Sequence, residues 1–293
     1  MLFEQIESNK RKTVWFIIFF FLLVQMCGFT IGILAFEDAY TGVRLSTWVL
    51  IAYMAITLFN AQFIVMSMNH AKKIEKEDYP ILVNIVEELC ISAGLTHIPD
   101  VYIIQEDSPN AFATGFSPEK SAIAVTTALL EKLNREELES VIAHELGHII
   151  NYDIRVSTVS LALLSCVIFL CDVLIDVDEK DNAALLIPGL LFLIIAPVIA
   201  QIIHFAISRN REYLADATAV KLTRNPQGLI SALIKIDNDP DIVDNISKTC
   251  ASMYIADPLK KRFDKYGVKK EEKMDLFSTH PSIEDRIERL RNM

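Results

Sequence analysis

The sequence is short of cysteine and glycine, and its basic residues are outnumbered; each shortage removes a class of function. Five cysteines are scattered over 293 residues, at Cys27, Cys90, Cys166, Cys171 and Cys250, with no C-x-x-C pair. An odd, dispersed set builds neither a disulfide framework nor a cysteine zinc site, so these thiols read as reduced, inert residues of a core or of lipid-facing surfaces. The nine glycines form no phosphate-cradling loop, and there is no internal repeat or low-complexity tract. Lys and Arg number 28 against 38 acids, a formal net charge of −10, which argues against nucleic acid as a partner.

Apolar residues, by contrast, make up 52% of the chain, and they come in long runs. Val14 to Phe36 and Leu45 to Met68 carry no charge, and each is long enough to cross a bilayer core. Val156 to Ile175 is a weaker third run with Asp172 near its end. Asn182 to Ser208 is a fourth, interrupted by Pro188 and Pro197, which membrane helices tolerate. Trp15 and Trp48 sit near run ends, where aromatic belts form. The first run is too long for the apolar core of a signal peptide and is followed by no small-residue cleavage site.

Basic residues flank these runs mainly on one side. Lys10, Arg11 and Lys12 precede the first run, Lys72, Lys73 and Lys76 follow the second, Arg155 stands at the third, and Arg209 and Arg211 follow the fourth. The connections 37–44 and 176–181 carry only Arg44 and Lys180. The positive-inside rule then predicts a multi-pass membrane protein, with four spans and both termini and all soluble sequence in the cytoplasm. The expected division is a membrane region at 1–68, a first soluble part at 69–155, two further spans at 156–208 and a second soluble part at 209–293. Each soluble part is short for a stable domain, so the two are expected to share one core.

The first soluble part carries the most informative stretch, His144-Glu145-Leu146-Gly147-His148. Asn134 as N-cap, Glu137 in the capping-box position and the stripe Leu138, Val141, Ile142, Ile149 and Ile150 predict a helix through it. On a helix the two imidazoles share a face and can hold one Zn²⁺, leaving Glu145 to act on the water. A catalytic zinc has three protein ligands and one open position. Arg211-Glu212-Tyr213-Leu214-Ala215-Asp216 supplies the candidates: Glu212 as third ligand, and Asp216, one turn on, as the carboxylate that accepts a hydrogen bond from a ligand histidine. Taken alone, that run is a solvated surface turn; the upstream motif turns it into a metal segment. Upstream, an amphipathic helix is predicted at Pro80–Ala93 with Gly94 as its stop, then strands at Val101–Gln105, Ala111–Gly115 and Ser121–Thr126. Strands leading into a metal-binding helix suit an α+β, zincin-like domain, and an exposed edge strand would hold an extended peptide by strand addition.

In family order, the HELGH stretch, Glu212-x-x-x-Asp216, Asn110-Ala111-Phe112-Ala113-Thr114-Gly115 and the late His280-Pro281 resemble the HtpX-type bacterial membrane zinc metalloproteases, with the CAAX-prenyl proteases of eukaryotes as more distant relatives. The resemblance spans nearly the whole chain. It implies a zinc endopeptidase of the bacterial plasma membrane, one Zn²⁺ per chain, whose site faces the cytosol and which cleaves misfolded or damaged membrane proteins under stress. It further implies that Asn110, Ala111, Phe112 and Ala113 contact the substrate backbone, and that His280 and Arg286 help hold the polarised carbonyl. From the residues alone, His280 is equally an exposed helix-start residue, Arg286 a solvated helix arginine and Asn110 a turn residue. His204, inside the fourth run, is costly there and is assigned a structural role; His70 and His97 read as surface residues. The bilayer, membrane-protein substrates and neighbouring copies of the chain itself, through self-cleavage, are the expected partners. Two rival functions use the same residues: a prenyl-protein or lipoprotein-processing peptidase, and a non-catalytic membrane scaffold with a structural zinc.

Overall fold

A left-handed Glu37 (φ 54°) and a capping Asp38 reverse the chain between its first two helices, α1 (Leu2–Phe36) and α2 (Ala39–Phe59). Asp38 accepts hydrogen bonds from the amides of Tyr40 and Thr41, both 3.1 Å, which satisfies the first free donors of α2. The hairpin closes tightly because Gly28 and Gly42 face each other: a Cβ on Gly42 would collide with the Gly28 carbonyl. Gln25 adds a polar tie, its Oε1 accepting from Ser46 and Thr47 of α2 at 3.2 and 3.1 Å. This computed structural model describes residues 2–159, 161, 209–241, 253–256 and 281–293.

Among the described residues, one helix is long and apolar enough to cross a membrane, over Ala39–Ile56, and α1 contributes a shorter apolar stretch, Ile17–Ile33. Of the four expected spans, the described residues thus show one as a clear apolar helix. The second run, expected to be a single span to Met68, breaks at Asn60, which ends α2 and begins α3 (Ala61–Met68). The reason lies in packing. Val65 and Met66 of α3 are buried against Ile104, Phe112 and Tyr254, so the end of this apolar run is domain core rather than lipid-facing surface. Most of the third expected span and all of the fourth lie outside the described residues, with Asp172 and His204; the residues 153–159 are helical, and Val156 and Val159 are buried.

The domain is built on a mixed four-stranded sheet ordered β1-β2-β4-β3, with β1 (Lys72–Lys73), β2 (Asp100–Ile104), β3 (Ala111–Ser117) and β4 (Lys120–Thr126). β2 and β4 run parallel, while β1 and β3 are antiparallel to their neighbours. In β3, Ala111 pairs with Val125 and Ala113 with Ile123, and no described strand lies beyond it. Helix α4 (Pro80–Ala93) starts on a proline and stops at Gly94, whose φ of 68° suits glycine. A short α5 (Thr127–Lys132) leads to α6 (Arg135–Ile150), which packs on α7 (Arg209–Thr223), α8 (Pro226–Asn238), α4 and β3. The last helix is α9 (Ile283–Arg291). One buried cluster joins Ile85 and Leu89 of α4, Ile123 and Val125 of β4, Val141, Ile142 and Leu146 of α6, Leu229 and Leu233 of α8 and Leu290 of α9. Residues from before 156 and after 208 therefore share a core. Burying each large aliphatic side chain contributes about 1.5–3 kcal/mol, so α6, at the centre, is held firmly where its histidines are needed.

Candidate metal centre

α6 is fixed at both its start and its last turn. Asn134 Oδ1 accepts from the Glu137 amide at 2.9 Å and Glu137 Oε2 accepts from the Asn134 amide at 2.8 Å, a complete capping box. The other interactions of Glu137, with Ser231 and Lys235, lash this end to α8. In its last turn, Gly147 faces Ala215 of α7: a Cβ on Gly147 would meet the Ala215 Cα at 3.1 Å. Two small residues thus let the helix bearing His144 and His148 approach the helix bearing Glu212 and Asp216.

The ligand candidates converge. His144 Nε2 and His148 Nε2 lie 3.1 Å apart, His148 Nε2 is 3.5 Å from Glu212 Oε1, and His144 Nε2 is 3.7 Å from Glu212 Oε2. Tetrahedral zinc with nitrogen and oxygen ligands at its usual bond lengths sets ligand atoms roughly 3.3–3.6 Å apart. The three side chains therefore fit such an ion. Their outer contacts agree. His144 Nδ1 is 2.9 Å from Asp216 Oδ1, and His148 Nδ1 is 3.1 Å from Asp153 Oδ2. Each carboxylate draws the ring proton to Nδ1, which leaves both Nε2 lone pairs aimed at one point beside a carboxylate oxygen. Three acceptors facing one another are stabilised by a cation. A proton competes for the same place: burial, the largest influence on His144, and Arg286 both disfavour its protonation, but Asp216 and Glu212 outweigh them and raise its pKa to about 9.

Glu145 is buried beside this point, 1% exposed, and its Oε2 has no hydrogen-bond partner among the described residues. Burial, first, and the charge of Glu212 push its carboxyl above the usual range against the lowering influence of the histidines and Arg286. A carboxylate with a raised proton affinity and an unused oxygen is suited to take a proton.

Arg286 is the largest fully buried side chain of the described residues. Its Nε and Nη2 donate to the two oxygens of Asp216 at 2.9 and 2.6 Å, and its Nη1 donates to the Ile255 carbonyl at 3.3 Å and stands 3.6 Å from Glu212. Arg286, expected to help hold the polarised carbonyl, is thus embedded behind the histidines and bonded to Asp216. For Asp216, burial favours the neutral acid, but Arg286 and His144 overcome it and hold the carboxyl below its ordinary range.

Asn110 is buried rather than displayed. Its Nδ2 donates to the Ala256 carbonyl at 2.9 Å and its Oδ1 accepts from the amides of Ala111 and Ala256. The Ile255 amide donates to the Ala111 carbonyl at 2.9 Å, so the segment 253–256 covers the beginning of the edge strand. Phe112 points into the core, edge-on to Tyr254 with ring centroids 4.8 Å apart. Gly115 NH reaches Thr158 Oγ1 at 3.3 Å. Ala113 therefore holds the stretch of outer edge between Ile255 and Thr158. His280 lies outside the described residues, and His70 and His97 are exposed. Sequence reasoning missed Asp153, whose contact with His148 depends on a turn, and the 253–256 segment, which lies far along the chain from its partners.

Comparison with known proteins places these features in a family. The model for "Peptidase family M48" matches residues 78–293. A "Protease HtpX homolog" of Listeria monocytogenes serotype 4a is 46% identical over 313 aligned positions, covering 100% of both chains. One of the same name from Streptococcus agalactiae serotype Ia is 44% identical, again over 100% of both chains. Among solved structures, S. mikatae Ste24p aligns with a TM-score of 0.46 at 22% identity, over 84% of this chain and 58% of that one.

Proposed function

The chain belongs to peptidase family M48 and is a metalloprotease of the HtpX type; from that premise we propose that it is a zinc endopeptidase that cleaves misfolded or damaged membrane proteins at the cytosolic face of the bacterial plasma membrane. One observation carries the chemistry: His144, His148 and Glu212 offer three ligand atoms within 4.8 Å of one another, with the unpartnered oxygen of Glu145 beside them. Three ligands, among the described residues, leave a coordination position open, as catalysis requires and a structural zinc does not. The membrane assignment rests on the apolar helices and the mainly one-sided basic flanks, and quality control rests on the resemblance to the HtpX-type proteases. With four spans, both termini lie in the cytoplasm.

When bound, Zn²⁺ supplies Lewis acidity, polarising the scissile carbonyl and acidifying the attacking water. Glu145 receives that water's proton on Oε2 and passes it to the leaving amine. Asp216 and Arg286 act behind His144, holding its ring and the Glu212 carboxylate in place. Ala113, on the outer edge of β3 between Ile255 and Thr158, aligns the substrate as an added strand; Asn110 and Ala111 shape the end of that edge through Ile255 and Ala256. His280 is assigned to the carbonyl oxygen.

The test uses the chain as its own substrate. Protein purified in detergent with a chelator should stay intact, and added Zn²⁺ should start fragmentation. Glu145→Gln should bind about one zinc per chain and cleave at least about a hundredfold more slowly, the smaller end of what a positioned base contributes. Equal fragmentation of both proteins would assign the cleavage to a contaminant and remove the reading.

A further inference from the structure

Asp153 lies beyond the end of α6, and nothing in the proposed reaction uses it. Helix α6 stops at Ile150, Asn151 caps it, and Tyr152 then adopts φ 59°, a left-handed conformation that a non-glycine residue takes at a cost. That single residue turns the chain so that the next helical stretch begins at 153 with its first side chain directed back at α6. The carboxylate of Asp153, 3% exposed, ends 3.1 Å from His148 Nδ1. Its other oxygen lies 3.8 Å from Nη1 of Arg211, and the same Nη1 is 3.5 Å from the Asp153 carbonyl. Arg211 is itself buried and directly precedes Glu212.

The arrangement repeats, on the second histidine, what Asp216 and Arg286 do for the first: imidazole Nδ1, buried carboxylate, buried arginine. A buried ion pair is a poor way to gain stability, because desolvation consumes most of its attraction. Two such pairs, each behind one histidine of the same centre, have a common purpose. We infer that Asp153, backed by Arg211, is a positioning residue that fixes the tautomer and orientation of His148 and locks the end of α6 to the first turn of α7, so that His148 and Glu212 meet at one point. The need is greater here than at His144: the His148 side chain is 16% exposed, whereas that of His144 is sealed. Arg211 reaches Asp153 less closely than Arg286 reaches Asp216, so the Asp153 arm is the weaker of the two.

This inference rests on the metal-centre reading, and the experiment separates the two. In the full-length Glu145→Gln chain, whose self-digestion is expected to be slow, zinc affinity is measured by competition with a chromophoric chelator, and Co²⁺ is added as a spectroscopic probe. Asp153→Ala should weaken zinc about ten- to a hundredfold and alter the Co²⁺ absorption bands. Asp153→Asn keeps an oxygen that accepts the Nδ1 proton but loses the charge, so it should fall between Ala and parent. Asp216→Ala should lose more zinc than Asp153→Ala. A purely structural Asp153 would lower the melting temperature of the chelated chain in both variants and leave zinc affinity and the Co²⁺ spectrum of the folded protein as in the parent; that outcome overturns the inference. Should Asp153→Ala not fold, the Asn variant decides: parental affinity and spectrum refute the role. Glu212→Ala is the control. If it retains parental zinc affinity, the metal reading itself fails; if it loses zinc while both Asp153 variants keep it, only the Asp153 assignment falls.

Discussion

Replacing Arg286 with methionine removes a cation from the most enclosed part of the protein and leaves its partners behind. Methionine fills much of the volume, so the dominant effect is electrostatic. Asp216, 1% exposed, loses both of its guanidinium hydrogen bonds, at 2.9 and 2.6 Å, and Glu212, 4% exposed, loses a positive charge 3.6 Å away. Stranding one member of a buried pair costs about 3–5 kcal/mol. For a folded unit of this size each kcal/mol moves the melting temperature by about 2–4 °C, so a loss of roughly 6–20 °C is expected. The measurement is thermal unfolding of the Glu145→Gln protein in detergent with a chelator present, so that metal release does not contribute. The double variant Arg286→Met with Asp216→Asn should recover part of the loss, because the stranded charge is then gone, and the two single losses should exceed that of the pair by about 0.5–3 kcal/mol. A single-variant loss below about 1 kcal/mol, or strictly additive losses, would refute the claim that Arg286 acts through Asp216 and would return it to the substrate.

Two further outcomes are expected. Burial, the largest influence on Glu137, raises its carboxyl, but its bonds to Lys235, Ser231 and the Asn134 amide prevail and set it below 4.5, so its stabilisation is complete above pH 4.5 and fades as pH falls through the folded value; the melting-temperature gap between parent and Glu137→Gln should therefore be open at pH 7 and narrow towards pH 3, and a constant gap would contradict it. Single cysteines at Ser117 or Ser282 in a cysteine-less background should resist an impermeant thiol reagent added outside intact cells and react after lysis, and outside labelling of either would reverse the proposed topology.

What was legible in the sequence was whatever short-range periodicity governs. Asn134 and Glu137 announced the start of α6, Pro80 and Gly94 bounded α4, and the strands at β2 to β4 fell within a few residues of their predicted positions. The spacing of His144 to His148 and of Glu212 to Asp216 is one helical turn, so a helix alone brings each pair to one face. The break at Asn60 was hidden because one amide in an apolar run interrupts no hydropathy window, and hydropathy does not distinguish lipid from protein core as the medium that buries Val65 and Met66. β1 was hidden for the opposite reason: two exposed lysines carry no strand signal, and their pairing with Ile103 and Tyr102 is supplied by β2.

The contacts that complete the site depend on the tertiary fold, and Arg286 shows how far a sequence signal still reaches. In α9, Ile283, Ile287 and Leu290 form a stripe, and Arg286 stands three residues from Ile283 and four from Leu290, on the same face. A charge within an apolar stripe has two physical outcomes: it escapes at a helix end, or it is buried with an opposite charge. Arg286 is mid-helix, and the structure shows the second outcome, with Asp216 as the acid. Asp216 was already marked by its spacing from Glu212. The stripe thus marks Arg286 for burial and the fold supplies its partner; Asp153 carries no such mark, because no helical period extends across the left-handed Tyr152, and there the fold alone supplies the pairing.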